Sequence, residues 1–100
     1  MPQRKRLPTV HPGELLRDEL EEIGTSMNEL ARALRVPMNR VSALVNGKRS
    51  ITADTAMRLA RYFGTSAQYW LNLQSAYDLE VAARENGARI EREVLPRDAA

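Results

Sequence analysis

The chain has 100 residues, 43% hydrophobic and 5% aromatic, with no cysteine and a formal charge of +2 from 15 basic and 13 acidic side chains. That length supports one domain with a modest, mostly aliphatic core; the missing thiols exclude a disulfide framework or thiolate metal site and suit a reducing cytosol. No apolar run approaches the roughly 18 residues of a membrane span, and the basic residues 1–6 lack the apolar stretch that would make them a secretory signal.

Residues 1–10 are polar, basic and punctuated by proline, which predicts a loose arm ahead of a domain covering residues 11–87. His11-Pro12-Gly13-Glu14 opens a first helix, with Pro12 where a backbone N–H would lack a partner anyway. Leu15, Leu16, Leu20 and Ile23 give that helix an apolar stripe, and Gly24 ends it. Ser26-Met27-Asn28-Glu29 is an S-x-x-E capping box, predicting a second helix to about Leu34. Arg35-Val36-Pro37 makes a turn, because Pro37 favours an extended residue before it and a helix start after it. A third helix follows over residues 38–46 and stops at Gly47.

Thr52 caps a fourth helix over residues 53–63, with Ala56, Leu59, Ala60 and Phe63 facing inward and Gly64 closing it. Ser66 caps a fifth, expected to reach Asn86 and break at Gly87, with Tyr69, Trp70, Leu73, Tyr77 and Val81 at helical spacing. Residues 88–100 form a tail in which Ile90 and Val94 suit a helix, while the Ile90, Arg92, Val94 alternation suits an edge strand. The fold class is therefore all-α.

Residues 27–46 carry the most information. Two short helices around a tight bend form a helix-turn-helix, with small Ala31 where the helices cross and Leu30, Leu34, Val36, Val41 and Leu44 on the inner side. The bend ordinarily has Gly four residues after the small one, to take positive φ. Here Arg35 stands there, so either the turn carries about 1 kcal/mol of strain or its shape differs.

In that motif the outer side of the second helix is free to enter a DNA major groove. With Val41, Leu44 and Val45 turned inward, Met38, Asn39, Arg40, Ser42 and Ala43 are left outside. Arg40 suits a bidentate bond to guanine, Asn39 one to adenine, and Met38 and Ala43 an apolar contact with a thymine methyl. Ser26, Met27 and Asn28 lie where a helix N-terminus grips phosphate. Lys48 and Arg49 follow the reading helix and suit neighbouring phosphates. Between Arg32 and Arg61 there are seven basic residues and one acid, Asp54, a balance suited to a polyanion.

The resemblance extends beyond the motif. His11-Pro12-Gly13-Glu14, Asn46-Gly47-Lys48-Arg49, Ile51-Thr52-Ala53-Asp54-Thr55-Ala56, Arg61-Tyr62-Phe63-Gly64-Thr65-Ser66 and Trp70-Leu71-Asn72-Leu73-Gln74 resemble the HigA-type antitoxins. These belong to the Xre/lambda-repressor-like helix-turn-helix group, and the likeness covers about residues 11–79. It implies a five-helix, cytoplasmic antitoxin encoded beside a HigB-type toxin, a ribosome-dependent mRNA endonuclease of RelE-like fold. Such an antitoxin neutralises its toxin and represses its own operon by binding palindromic double-stranded operator DNA as a homodimer.

A two-fold operator needs two reading helices one DNA turn apart, hence a dimer. The long fifth helix suits the seam, through Tyr69, Leu73, Tyr77 and Val81 together with the tail over residues 88–95, with Trp70 closing the core instead. An RNA-handling toxin would be basic, and Glu14, Asp18, Glu21 and Glu22 on the first helix would suit it; a merely solvated face fits the same charges. A solitary Xre-type regulator, or a toxin-inhibiting module with weak DNA binding, remains an alternative.

No enzyme is expected. The one histidine, His11, sits at a helix start with no second metal-type ligand near it, so neither a metal nor another cofactor is implied. Ser42 and Ser50 lack a base, and no glycine-rich phosphate loop occurs. Single-strand RNA reading wants aromatic platforms that the basic region lacks.

Overall fold

The computed structural model describes residues 10–98 and places five helices among them: α1 (Pro12–Ile23), α2 (Met27–Leu34), α3 (Met38–Val45), α4 (Ala53–Phe63) and α5 (Ala67–Glu93). Nearly all of the expected N-terminal arm lies outside the described residues. No strand occurs among the described ones.

The core is built from Leu16 and Leu20 of α1, Leu30, Ala31 and Leu34 of α2, Val41, Leu44 and Val45 of α3, Ala56 and Leu59 of α4 and Trp70 of α5. Ile51, from the loop before α4, joins them. None is more than 4% exposed, and burying a Leu, Ile or Val this fully contributes about 1.5–3 kcal/mol each before entropy is counted. On α1 the buried stripe is narrower than expected: Leu15 and Ile23 are 39% and 44% exposed.

Local capping fixes the helix starts. The Ser26 hydroxyl accepts the Glu29 N–H at 3.1 Å, and the Glu29 carboxylate accepts the Ser26 N–H at 2.8 Å. Thr52 and Ser66 cap α4 and α5 in the same sense. Two boundaries differ from expectation. Asn46 is the C-cap of α3 rather than its last residue.

The larger correction concerns the tail: α5 runs through Gly87 to Glu93, so residues 88–93 are helix rather than strand. A glycine inside a helix costs only about 1 kcal/mol relative to alanine, and Ala83, Arg84, Glu85, Ala88 and Arg89 around it are strong helix formers. Side-chain bonds also reinforce the segment, Arg89 Nη2 donating to Asn86 Oδ1 at 3.0 Å and Arg89 pairing with Glu93 at 3.9 Å. Unlike Gly24, which closes α1 at φ 70°, Gly87 does not take positive φ. The helix stops before Pro96 instead. Its 27 residues amount to about 40 Å, and only Trp70 and Gln74 on it are fully buried. The distal half therefore extends past the core, giving a molecule 56 Å long and 29 by 22 Å across.

Candidate nucleic-acid interface

α2 and α3 cross with Ala31 buried between them, and the chain turns at Arg35 with φ 62° and ψ 44°. Arg35 is the one non-glycine with positive φ among the described residues. The turn therefore keeps the conformation a glycine would take and carries the strain instead of changing shape. Its N–H is returned to the helix, donating to Arg32 O at 3.2 Å.

Four ties from outside the motif hold the α2–α3 unit and the loop that follows it. The first is at the end of α3: Gly13 of α1 packs against the Leu44 carbonyl, which a Cβ at position 13 would strike. His11 caps α1 through Nδ1, which accepts the Gly13 N–H at 2.9 Å, and its ring lies against Gly47 and edge-on to Tyr77 at 4.8 Å. The second is Arg17, whose Nη2 donates to Asn46 Oδ1 at 2.9 Å. The third is Gln74, 5% exposed, whose side-chain carbonyl accepts the Ile51 N–H at 2.8 Å and whose amide donates to Asp78 at 2.9 Å. The fourth is Arg58, whose Nη1 donates to the Leu34 carbonyl at 2.8 Å.

These roles carried no signal in spacing, because the partners are distant in sequence, 23, 24 and 29 residues apart for the Gln74, Arg58 and Arg17 bonds. The motif His11-Pro12-Gly13-Glu14 does start a helix, as expected, and it also seats the end of α3.

The residues of α3 differ in exposure. Val41, Leu44 and Val45 are buried, Met38 is 37% exposed and Asn39 is exposed; Ser42 and Ala43 are half-buried. Arg40 is half-buried and not free in solution: its Nη1 lies 3.4 Å from Asp54 Oδ2, which also accepts Arg58 Nε at 2.8 Å. The Arg58 hydrogen bond, with the charges of Arg58 and Arg40, holds the Asp54 carboxyl below the usual aspartate range. Lys48 and Arg49 are exposed just past α3.

At the start of α2 the groups divide differently. The Ser26 hydroxyl and N–H are used in the capping box, and Met27 is half-buried against the core. The N–H groups of Met27 and Asn28, in the first turn, have no intrahelical acceptor. Glu29 brings a carboxylate to this helix end, held below the usual glutamate range by the Ser26 N–H and hydroxyl.

The expected seam residues also divide. Leu73 packs against the core and Tyr77 against His11, whereas Tyr69 is 48% exposed and Val81 half-buried. Trp70 closes the core, its Nε1 donating to Thr65 Oγ1 at 2.8 Å. Glu14, Asp18, Glu21 and Glu22 are exposed on α1. Among the described residues no helix is long and apolar enough to cross a membrane, and no group of His, Cys, Asp or Glu is placed to hold a metal.

A helix-turn-helix family profile matches residues 16–70. Virulence-associated protein I of Dichelobacter nodosus is 51% identical over 83 residues, covering 82% of this chain and 77% of that protein. An addiction module antidote protein of the HigA family from Coxiella burnetii is 53% identical with a TM-score of 0.87, over 90% of this chain and 99% of the other. The Pseudomonas aeruginosa antitoxin HigA, solved with the higBA promoter, is 52% identical with a TM-score of 0.86, over 90% and 99%.

Proposed function

The chain belongs to the helix-turn-helix family and within it to the HigA antitoxins, and from that premise we propose an operator-binding autorepressor that also neutralises a toxin. The observation that carries the DNA-binding half is the construction of α3. Its inner side is fully buried, its end is tied to α1, and Met38, Asn39 and Arg40 remain at the surface of its first turn. That is the end of a reading helix that meets base edges.

In this reading Arg40 pairs with a guanine and Asn39 with an adenine, each good bidentate pair contributing about 1–3 kcal/mol of discrimination. Met38 and Ala43 lie against a thymine methyl, and Ser42 borders them. Lys48 and Arg49 hold phosphates, as do the N–H groups of Met27 and Asn28; Ser26 acts by building the cap. Base readers specify, and the phosphate contacts set register.

A palindromic operator calls for two copies. The seam lies along α5, where Tyr69 and Val81 are joined by Leu79, Ile90 and Val94, which are 70%, 50% and 65% exposed. Leu73 and Tyr77 support that surface from within their own protomer. The toxin, a HigB-type RNA-cleaving protein, docks on α1, where Glu14, Asp18, Glu21 and Glu22 flank the exposed Leu15 and Ile23. With DNA and a toxin as its partners, the protein acts in the cytoplasm in this reading, by stoichiometric binding rather than catalysis.

The test is a fluorescence-anisotropy titration of the full chain on DNA from directly upstream of its own coding sequence, against a scrambled duplex, at two salt concentrations. Selective binding that Arg40→Ala weakens by about tenfold or more is expected. Equal binding to both duplexes would remove the operator reading.

A further inference from the structure

Asp54 is the single acid among seven bases between Arg32 and Arg61, and it stands in the first turn of α4 beside the reading helix. Its Oδ2 receives Arg58 Nε at 2.8 Å and Arg40 Nη1 at 3.4 Å. Arg58 is itself anchored by its bond to the Leu34 carbonyl at 2.8 Å. A continuous relay thus runs from the backbone before the turn, through Arg58 and Asp54, to the Arg40 guanidinium.

We propose that Asp54 is a specificity-determining positioning residue, which holds Arg40 in the orientation that meets guanine and keeps phosphate out of the same place. The proposal rests on the operator-binding reading above. A guanidinium has five N–H donors in a rigid fork. One bond from Nη1 to Asp54 leaves the Nε and Nη2 edge for a bidentate contact with guanine O6 and N7. A long side chain already held in place loses less freedom on binding. A carboxylate at the same point repels phosphate oxygens, which removes the sequence-independent contact an unrestrained arginine would otherwise make.

Stability does not account for this arrangement. Asp54 is 59% exposed and Arg40 28%, and exposed ion pairs contribute little to folding. The position of Asp54 in the first turn of α4 and its spacing from Arg58 suit the helix, but neither requires Arg40. An aspartate is ionised at neutral pH, and the Arg58 hydrogen bond moves its titration further to the acid side.

The experiment is a double-mutant cycle with the full chain, D54N and R40A alone and together, titrated on the operator, on a scrambled duplex of equal length, and on operators with each guanine replaced in turn. D54N is nearly isosteric at a mostly exposed position, and a circular-dichroism melt verifies its fold. Expected for D54N is a fall of about tenfold in the operator-to-scrambled ratio, with tighter scrambled binding and the lost preference confined to one guanine. In the R40A background D54N should change the ratio less than twofold. An unchanged ratio in D54N, or an equal fall with and without Arg40, would overturn the role of Asp54 while leaving operator binding intact. A wild-type chain with no preference between the duplexes would overturn the premise and this inference together.

Discussion

Gly13 of α1 lies so close to Leu44 that a Cβ at position 13 would strike the carbonyl oxygen and come within 2.9 Å of the carbonyl carbon. The obstacle is backbone at the end of the reading helix, which cannot rotate away as a side chain could. Gly13→Ala should therefore destabilise the fold by about 1–3 kcal/mol, the usual cost of overpacking, seen as a lower urea midpoint. Operator affinity should fall as well, because relief requires α3 to shift. A melt indistinguishable from wild type would mean that α1 and α3 separate freely.

Gln74 does for the loop after α3 what Gly13 does for its end. Its oxygen satisfies the buried Ile51 N–H at 2.8 Å. Gln74→Leu fills the same space and leaves that N–H without an acceptor, a loss of about 1–3 kcal/mol. Hydrogen exchange at the Ile51 amide should accelerate more than at amides within α2, which a general loss of packing would not produce.

Arg35 is the reverse case, a residue whose conformation costs energy. An L-residue in the left-handed region costs about 1–2 kcal/mol, and glycine returns about 0.4–1 kcal/mol of that through greater freedom in the unfolded chain. Arg35→Gly should thus stabilise the fold modestly, by roughly 0.5–1 kcal/mol. It also removes a cation from the basic region, so any loss of DNA affinity should be largest at low salt. Greater stability with weaker binding would separate the two roles of this residue.

The capping box of α2 links stability to pH. Ser26→Ala should cost about 1 kcal/mol as a lost N-cap. Glu29 titrates below the usual glutamate range because of the Ser26 N–H first and the Ser26 hydroxyl second. A depressed folded-state value means stability is present above the ordinary range and lost as pH falls through the lowered one. Asp54, depressed by Arg58, adds to the same acid-side loss. An NMR titration of the Glu29 carboxyl should show its midpoint moving up in Ser26→Ala but staying below the ordinary value, because the backbone N–H remains.

What the chain announces locally is what proved readable. Ser26 with Glu29, Thr52 and Ser66 mark helix starts by side chains that act within three residues. Aliphatic spacing marked Leu30, Ala31, Val41 and Leu44 as inner-side residues, since a helix repeats every 3.6 positions. The ties of Arg17 to Asn46, Gln74 to Ile51 and Asp54 to Arg40 were not readable, because each depends on how the helices pack. Arg17, the lone base in the acidic stretch from Glu14 to Glu22, was the one available hint. Leu15 and Ile23 joined the apolar stripe by spacing, yet they lie at its margin, 39% and 44% exposed, and only Leu16 and Leu20 enter the core.

Gly87 shows how one residue type can signal two outcomes, and it carries the last prediction. Gly24 ends α1 with its N–H donating to Glu21 O at 3.3 Å and φ 70°, whereas Gly87 sits inside α5, where a Cβ would meet only Ala83 Cβ at 4.0 Å. With that space open, Gly87→Ala should lengthen the lifetime of the distal helix and stabilise it by up to about 1 kcal/mol, measured as slower hydrogen exchange over residues 84–93. Gly87→Pro should instead unfold that segment while leaving the core melt nearly unchanged, since no residue beyond Gln74 on α5 is fully buried. Sedimentation equilibrium on the same two variants then tests the seam. If the exposed Ile90 and Val94 take part in self-association, Gly87→Pro weakens the dimer, and an unaltered dimer would confine the seam to the proximal half of α5.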